Sequence, residues 1–333
     1  MRAMLLEQIG QPLQLRELPV PQPGPGEVRV RVLACGVCRT DLHVVDGELP
    51  EAPLPIIPGH EIVGLVDALG EGVTGFAVGD DVVSVFFPQW QDGPAEVGDF
   101  STVPGDGVDG YAREAVVRPA TWFTPVPKGY GHAEAATLTT AGLTAWRALV
   151  VDGGLKAGDV VLVLGTGGVS VFALQYAKMM GATVVATSSS DEKLERIRAL
   201  GADHTINYRQ HADWGKLVRD WTGGRGVDHV VEVGGPGTLA QSIAAVRIGG
   251  HISLIGVLTG RAGEVPTAVL MAKQARLQGL IVGNRRHQND LVRAIEATGV
   301  RPVIDRSFGL GEIADAFRHQ ESGSHFGKIC LEF

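Results

Sequence analysis

The stretch Val160-Val161-Leu162-Val163-Leu164-Gly165-Thr166-Gly167-Gly168-Val169-Ser170 decides the fold. Aliphatic residues stop abruptly at glycines, and a helical rhythm begins at once. Val169, Phe172, Ala173, Tyr176, Ala177 and Met180 recur at three- and four-residue steps until Gly181. The pattern predicts strand, glycine turn and helix. Such a turn lets backbone N–H groups approach a diphosphate, and the helix N-terminus adds the positive end of its dipole. Gly165, Thr166, Gly167, Gly168 and Val169 are therefore candidate cofactor-binding residues. Ser170 stands at the third glycine of G-x-G-x-x-G, so the motif alone is modest. Its setting is more specific, because a second strand is expected at 183–188, the spacing of a dinucleotide fold. The competing reading is a glycine turn in an ordinary α/β protein.

Further strands are expected at 204–208, 227–233, 251–255 and 277–282. With the first two they make six strands joined by helices, the pattern of a doubly wound sheet. Ser190 reads as a helix N-cap, with Asp191 and Glu192 in the first turn and Gly201 at the end. Upstream, residues 133–150 are helical in pattern, interrupted near Gly142. Before that, short strands at 1–7, 13–18, 28–32, 61–68 and 81–87 are broken by Gly and Pro, which suggests a small irregular barrel. Downstream, helices are expected at 289–297 and 312–319, and a last strand at 328–333 rejoins the first domain. The expected division is 1–141 with 284–333 for the barrel domain, and 142–283 for the dinucleotide-binding domain.

The 333 residues suffice for two domains with their own cores. A formal charge of −8 argues against nucleic acid as the main partner. No apolar run is long enough to span a bilayer and no signal-peptide core opens the chain, so no membrane partner is expected. Cys35, Cys38 and Cys330 cannot form a disulfide framework, and a reducing cytoplasm is the simplest setting.

Two barrel segments carry chemistry: Cys35-Gly36-Val37-Cys38-Arg39-Thr40-Asp41-Leu42-His43 and Pro58-Gly59-His60-Glu61. Cys, His and carboxylate are zinc ligand types. No second cysteine pair exists, which excludes a four-cysteine structural site. Cys38, His60 and Glu61 together would leave one coordination position open, as catalytic zinc requires. Thr40 and His43 lie close enough to Cys38 to relay a proton. Each residue has a plainer reading too: Cys35 as a core thiol, a lone His or Glu as structural. Residues 88–110 hold no cysteine and read as a loop beside the site, where Phe86, Phe87 and Trp90 line a pocket or belong to the core.

These motifs resemble the medium-chain dehydrogenase/reductase superfamily across essentially the whole chain. The Cys35–His43 and Pro58–Glu61 segments are similar to zinc-dependent alcohol dehydrogenases. The resemblance implies an α/β chain made of a GroES-like barrel and a six-stranded Rossmann domain. It implies Cys38 and His60 as zinc ligands and Thr40 and His43 as the proton relay. It makes Asp41 a partner of the zinc histidine and Arg39 and Lys328 contacts of the cofactor diphosphate, with Thr144 beside the nicotinamide. Two departures stand out. The family's third zinc ligand falls on Thr140, and the structural zinc lobe is absent. From about residue 85 the chain looks more like zinc-free quinone reductases, with Asp109-Gly110-Tyr111-Ala112, Leu143-Thr144-Ala145-Trp146 and Ile206-Asn207-Tyr208-Arg209. In polyol-dehydrogenase-like members the Glu after the zinc His is itself a ligand, which offers Glu61 for the missing place. Otherwise Glu61 stays outside the coordination shell and the site holds no metal.

NAD-preferring folds place an acid at the end of the second strand, and here Ser188 stands there. Lys193 and Tyr208 match positions of NADPH-dependent reductases. NADP(H) is the expected cofactor, with NAD(H) tolerated. The expected function is an NADP(H)-dependent, zinc-assisted alcohol dehydrogenase or carbonyl reductase acting on a small alcohol, aldehyde or ketone. The alternatives are a zinc-free quinone or enone reductase and a non-catalytic nucleotide binder. The resemblance implies a homodimer or homotetramer.

Overall fold

The computed structural model describes residues 1–48, 52–97 and 100–333. Two compact units emerge, one of Met1–Leu143 with Val282–Phe333, the other Thr144–Ile281.

The first unit opens with β1 (Arg2–Leu5) and β2 (Gln14–Glu17), an antiparallel pair. β3 (Glu27–Val37) runs directly into α1 (Arg39–Val45). Then come β4 (Glu61–Leu69), β5 (Asp81–Ser84), β6 (Ala115–Pro119), β7 (Phe123–Pro125) and α2 (His132–Ala135). A π-helical turn at Leu138–Gly142 leads into α3 (Leu143–Trp146), and a second π turn, Arg147–Val151, follows. The second unit contains β8 (Val160–Leu164), α4 (Gly168–Met179), β9 (Thr183–Ser188), α5 (Asp191–Ala199) and β10 (His204–Asn207). It continues through α6 (Trp214–Trp221), β11 (Val227–Glu232), α7 (Pro236–Ala245), β12 (Val246–Leu254), α8 (Thr267–Ala272) and β13 (Arg276–Gly279). The chain returns to the first unit with α9 (Arg285–Thr298), β14 (Ile304–Gly309), α10 (Ile313–Glu321) and β15 (Lys328–Glu332).

The second unit is a parallel six-stranded sheet in the order β10-β9-β8-β11-β12-β13. Strand order reverses between β8 and β11, which marks the crevice where doubly wound sheets take nucleotides. Val161, Leu162 and Val163 are fully buried, as central parallel strands must be. In the first unit a seven-stranded sheet runs β14-β15-β3-β4-β5-β7, with β6 on β3. Its core gathers Val28, Val30, Ile62, Val66, Val116 and Phe123. β15 pairs antiparallel with β3, Cys330 opposite Gly36, so the tail does rejoin the barrel.

Some elements differ from the sequence reading. β12 starts at Val246, not at 251, because it tolerates Gly249-Gly250 within an irregular register that the glycines disguise as a turn. The helical pattern at 133–150 breaks into short α and π turns. β6, β7 and β14 carry too little alternation to be read locally.

Candidate active site

β3 delivers Cys38 to the mouth of α1. Asp41, the third helical residue, turns back and accepts from the Cys38 backbone N–H at 2.8 Å. Its other oxygen lies 2.6 Å from His60 Nδ1, just before β4. One buried carboxylate thus ties the Cys38 backbone to the His60 ring. The Cys38 Sγ lies 3.7 Å from His60 Nδ1. Cys38, Asp41 and His60 form a cluster whose ligand atoms lie within 4.8 Å of one another, all three buried.

Burial opposes charge at Asp41, but His60 and the hydrogen bonds from Cys38 outweigh it, holding the carboxyl below its ordinary range. Burial likewise opposes charge on His60, yet the Cys38 and Asp41 charges raise the imidazole well above its usual value. The Cys38 thiol is pushed up by burial and by Asp41, with His60 acting in the opposite sense.

The cluster fits a zinc ion on two sides. With Nδ1 engaged by Asp41, His60 is left with a buried Nε2 that has no hydrogen-bond partner among the described residues. A carboxylate behind a ligating histidine is the usual second tier of a zinc site. Cys38 Sγ is the other donor. The third side is different, because Glu61, the expected third ligand, has other partners here. Its Oε1 pairs with Lys328 Nζ at 2.8 Å and its Oε2 accepts from the Thr140 backbone N–H at 2.7 Å. Both oxygens are committed, and Glu61 lies outside the ligand cluster. Gly36 makes room for this arrangement, since a Cβ there would fall 2.4 Å from Glu61 Oε1. Asp41 is committed as well.

Lys328 is the partner of Glu61. The expected diphosphate contact is 5% exposed and donates to the Val37 carbonyl at 2.6 Å as well as to Glu61. An ammonium buried this deeply needs an opposite charge, and Glu61 supplies it. Burial lowers the lysine pKa, but Glu61 and Cys38 more than reverse the effect.

Around the cluster, Arg39 is exposed at the start of α1, and Thr40 is half-buried next to it. His43 Nδ1 lies 2.6 Å from Glu48 Oε2, a partner the sequence did not signal because it sits past the helix end. Phe86 stacks on His60 with ring centres 5.8 Å apart, Phe87 meets Phe86 edge-on, and Trp90 and Phe100 extend the group. Phe86, Phe87 and Trp90 are buried, so they are both core and the apolar wall beside His60. Residues 98 and 99 of the expected loop at 88–110 lie outside the described residues. Cys35 is a buried thiol whose pKa burial, Asp41 and Glu61 drive up.

In the second unit, Gly165 takes φ +73°, open only to glycine without strain, and Gly167 caps α4. Apart from the adjoining residues, no atom of the described residues lies within 4 Å of a Cβ placed at either glycine, leaving space before the helix N-terminus. Thr166 is buried and Gly168 and Val169 begin α4. Ser170, the departure from the glycine motif, donates to the Leu164 carbonyl at 2.6 Å and pins helix to strand. Ser188 ends β9 buried, accepting from the Ser190 N–H, and Ser190 caps α5 by accepting from the Lys193 N–H. Tyr208 and Arg209 are exposed after β10, and Thr144 is buried.

Comparison with known proteins agrees with this anatomy. Residues 24–128 match the alcohol dehydrogenase GroES-like domain, and 168–298 match the zinc-binding dehydrogenase family. A zinc-type alcohol dehydrogenase-like protein of Schizosaccharomyces pombe is 40% identical over 330 residues, 96% of this chain and 95% of that protein. The solved structure of a candidate alcohol dehydrogenase from Sinorhizobium meliloti 1021 superposes with a TM-score of 0.95 at 42% identity, covering 100% of this chain and 98% of its own. A structure described as an NAD-dependent alcohol dehydrogenase gives 0.92 at 37% identity, covering all of both chains. With its GroES-like and Rossmann-type parts, its glycine turn and its cysteine–histidine cluster, the chain belongs to the zinc-type medium-chain dehydrogenase/reductase superfamily and is an alcohol dehydrogenase-like oxidoreductase that uses a nicotinamide cofactor.

Proposed function

We propose that the chain is an NADP(H)-dependent alcohol dehydrogenase or carbonyl reductase, passing a hydride between nicotinamide and a small alcohol, aldehyde or ketone. The observation that carries this reading is His60, tied to Asp41 through Nδ1, unpartnered at a buried Nε2, and with its ring 3.7 Å from Cys38 Sγ at Nδ1. A zinc ion held by Cys38 Sγ and His60 Nε2 would supply Lewis-acid polarisation of the substrate oxygen. Asp41 fixes the imidazole tautomer and ring direction. Phe86 and Phe87 exclude water beside His60 and favour an apolar substrate body. The alcohol proton is handed through the Thr40 hydroxyl to His43, whose Nδ1 is hydrogen-bonded to Glu48 at the surface.

For the cofactor, the N-terminus of α4 with Gly165–Val169 receives the diphosphate, aided by Arg39, and Thr144 lies against the nicotinamide. NADP(H) is favoured because Ser188 replaces the acid that would repel a 2′-phosphate, while Lys193, Tyr208 and Arg209 offer donors. Titration of the purified protein with NADPH and NADH, turnover on a carbonyl panel and metal stoichiometry test the whole reading. A strong NADH preference overturns the cofactor assignment, and no turnover with any carbonyl overturns the activity and leaves a non-catalytic nucleotide binder.

The committed Glu61 and the threonine at 140 favour a second reading, a zinc-free reductase of quinones or enones. Full activity in metal-free protein treated with chelator would establish it. A homodimer or homotetramer is proposed through the edge strand β13, near which Val257, Leu258, Val269, Met271 and Ile281 are exposed apolar residues. The free thiols suit a cytoplasmic setting. No helix among the described residues is long and apolar enough to cross a membrane.

A further inference from the structure

Glu232 ends β11 and is fully buried, yet among the described residues no basic side chain pairs with its carboxylate. Four neutral donors satisfy it instead. Oε1 accepts from the backbone N–H of Gly234 at 2.8 Å, from that of Gly235 at 3.0 Å, and from the Thr238 hydroxyl at 2.6 Å. Oε2 accepts from the Ser242 hydroxyl. The carboxylate therefore sits against the first turns of α7, where the helix dipole favours negative charge.

The turn that Glu232 holds is gripped from both ends. The Gly234 carbonyl accepts from both the backbone N–H and the hydroxyl of Thr259, each at 2.8 Å, and Thr259 Oγ1 accepts from the Gly237 N–H at 2.8 Å. Gly235 lies at φ +86° and ψ −142°, a conformation that excludes a side chain. A Cβ there would meet Val257 Cα and the Gly256 carbonyl at 3.0 Å.

The position of this turn gives it a purpose. β11 pairs with β8, Val231 opposite Val163, so the Gly165 turn and the 233–235 turn leave the sheet side by side at the reversal of strand order. That reversal opens the crevice in which doubly wound sheets bind dinucleotides. The two helix N-termini flanking it differ: a carboxylate from within the chain occupies that of α7, while that of α4 faces open space.

We propose that Glu232 is a positioning residue for the nicotinamide dinucleotide. It neutralises the α7 N-terminus with an internal anion and shapes the Val233–Gly235 turn into the second wall of the crevice, so that α4 alone presents an anion site to the diphosphate. The inference rests on dinucleotide binding by this unit.

The test measures NADPH and NADH affinity by fluorescence titration of the full chain, with kcat and cofactor KM for any carbonyl turned over, and thermal unfolding alongside. Glu232→Gln offers one acceptor oxygen where two served, and its amide points hydrogens at donors. The expected result is at least tenfold weaker binding of whichever dinucleotide the native protein prefers, a matching rise in cofactor KM and kcat within threefold. Thr238→Val, which removes one donor and spares the fold if Glu232→Gln does not, weakens binding about threefold, and Thr238→Ser restores it. Unchanged dinucleotide affinity in folded Glu232→Gln and Thr238→Val overturns the inference, even where melting temperature falls. A native protein that binds no dinucleotide overturns the cofactor reading instead.

Discussion

Replacing Lys328 by methionine removes one charge from a pair that is 5% and 0% exposed, with Nζ and Oε1 2.8 Å apart. Methionine keeps the length of the stem but abandons Glu61 in the barrel core. Breaking one side of a buried ion pair costs about 3–5 kcal/mol. The Thr140 N–H still serves Glu61 Oε2, which places the loss near the lower bound, about 3 kcal/mol. At roughly 2–4 °C per kcal/mol for a unit of this size, the melting temperature should drop by about 6–12 °C. Glu61→Gln strands the lysine instead, and Glu61→Gln with Lys328→Met should recover much of the loss, because both charges are gone. Urea and thermal unfolding of the three variants at pH 7 measure this coupling, with NADPH affinity read in parallel. A Lys328→Met protein that melts within about 2 °C of the native one but binds NADPH tenfold more weakly would falsify the buried-pair account and return the lysine to the diphosphate.

Thr140→Cys should add a third soft donor to Cys38 and His60, raising zinc retention against a competing chelator by at least about tenfold, or about 1.4 kcal/mol; unchanged retention places residue 140 away from the metal. Ser188→Asp puts a carboxylate at the end of β9 and should weaken NADPH by about tenfold or more while sparing NADH, which paired titrations read directly. His251 accepts from Arg276 Nε at Nδ1 and donates from Nε2 to Ser253, an arrangement only the neutral ring can make. Burial, then Arg276, pull its pKa down to about 4. Because the folded value lies below the unfolded one near 6.5, stability should fall as pH drops from about 6.5 toward 4, by roughly 2 kcal/mol after allowing for solvent screening. Urea unfolding at pH 7 and pH 5 should show this dependence weakened in His251→Gln; an identical slope in both proteins would refute it.

Much was legible in the linear chain because the responsible forces are local. Val160–Leu164 followed by Gly165 and the three- to four-residue rhythm of α4 encode strand, turn and helix through propensity and backbone freedom alone, and β8 and β9 emerge with the expected boundaries. The cysteine and histidine of the candidate metal site were visible as residue types within two short motifs. Commitments made across the chain were not. Glu61 was offered as a ligand, and Lys328 as a diphosphate contact, by resemblance of short motifs alone, which carries no information about partners elsewhere in the chain. Folding brings them together across 267 positions and satisfies each with the other. Glu232 likewise gave no signal, since its donors are two backbone N–H groups of a turn and two hydroxyls of α7 that converge only once β11, α7 and the 255–260 segment have packed. Local periodicity determines where strands and helices form, whereas a buried charge has to be satisfied by whatever the tertiary fold places within hydrogen-bonding distance, and the linear order of residues carries no record of that partner.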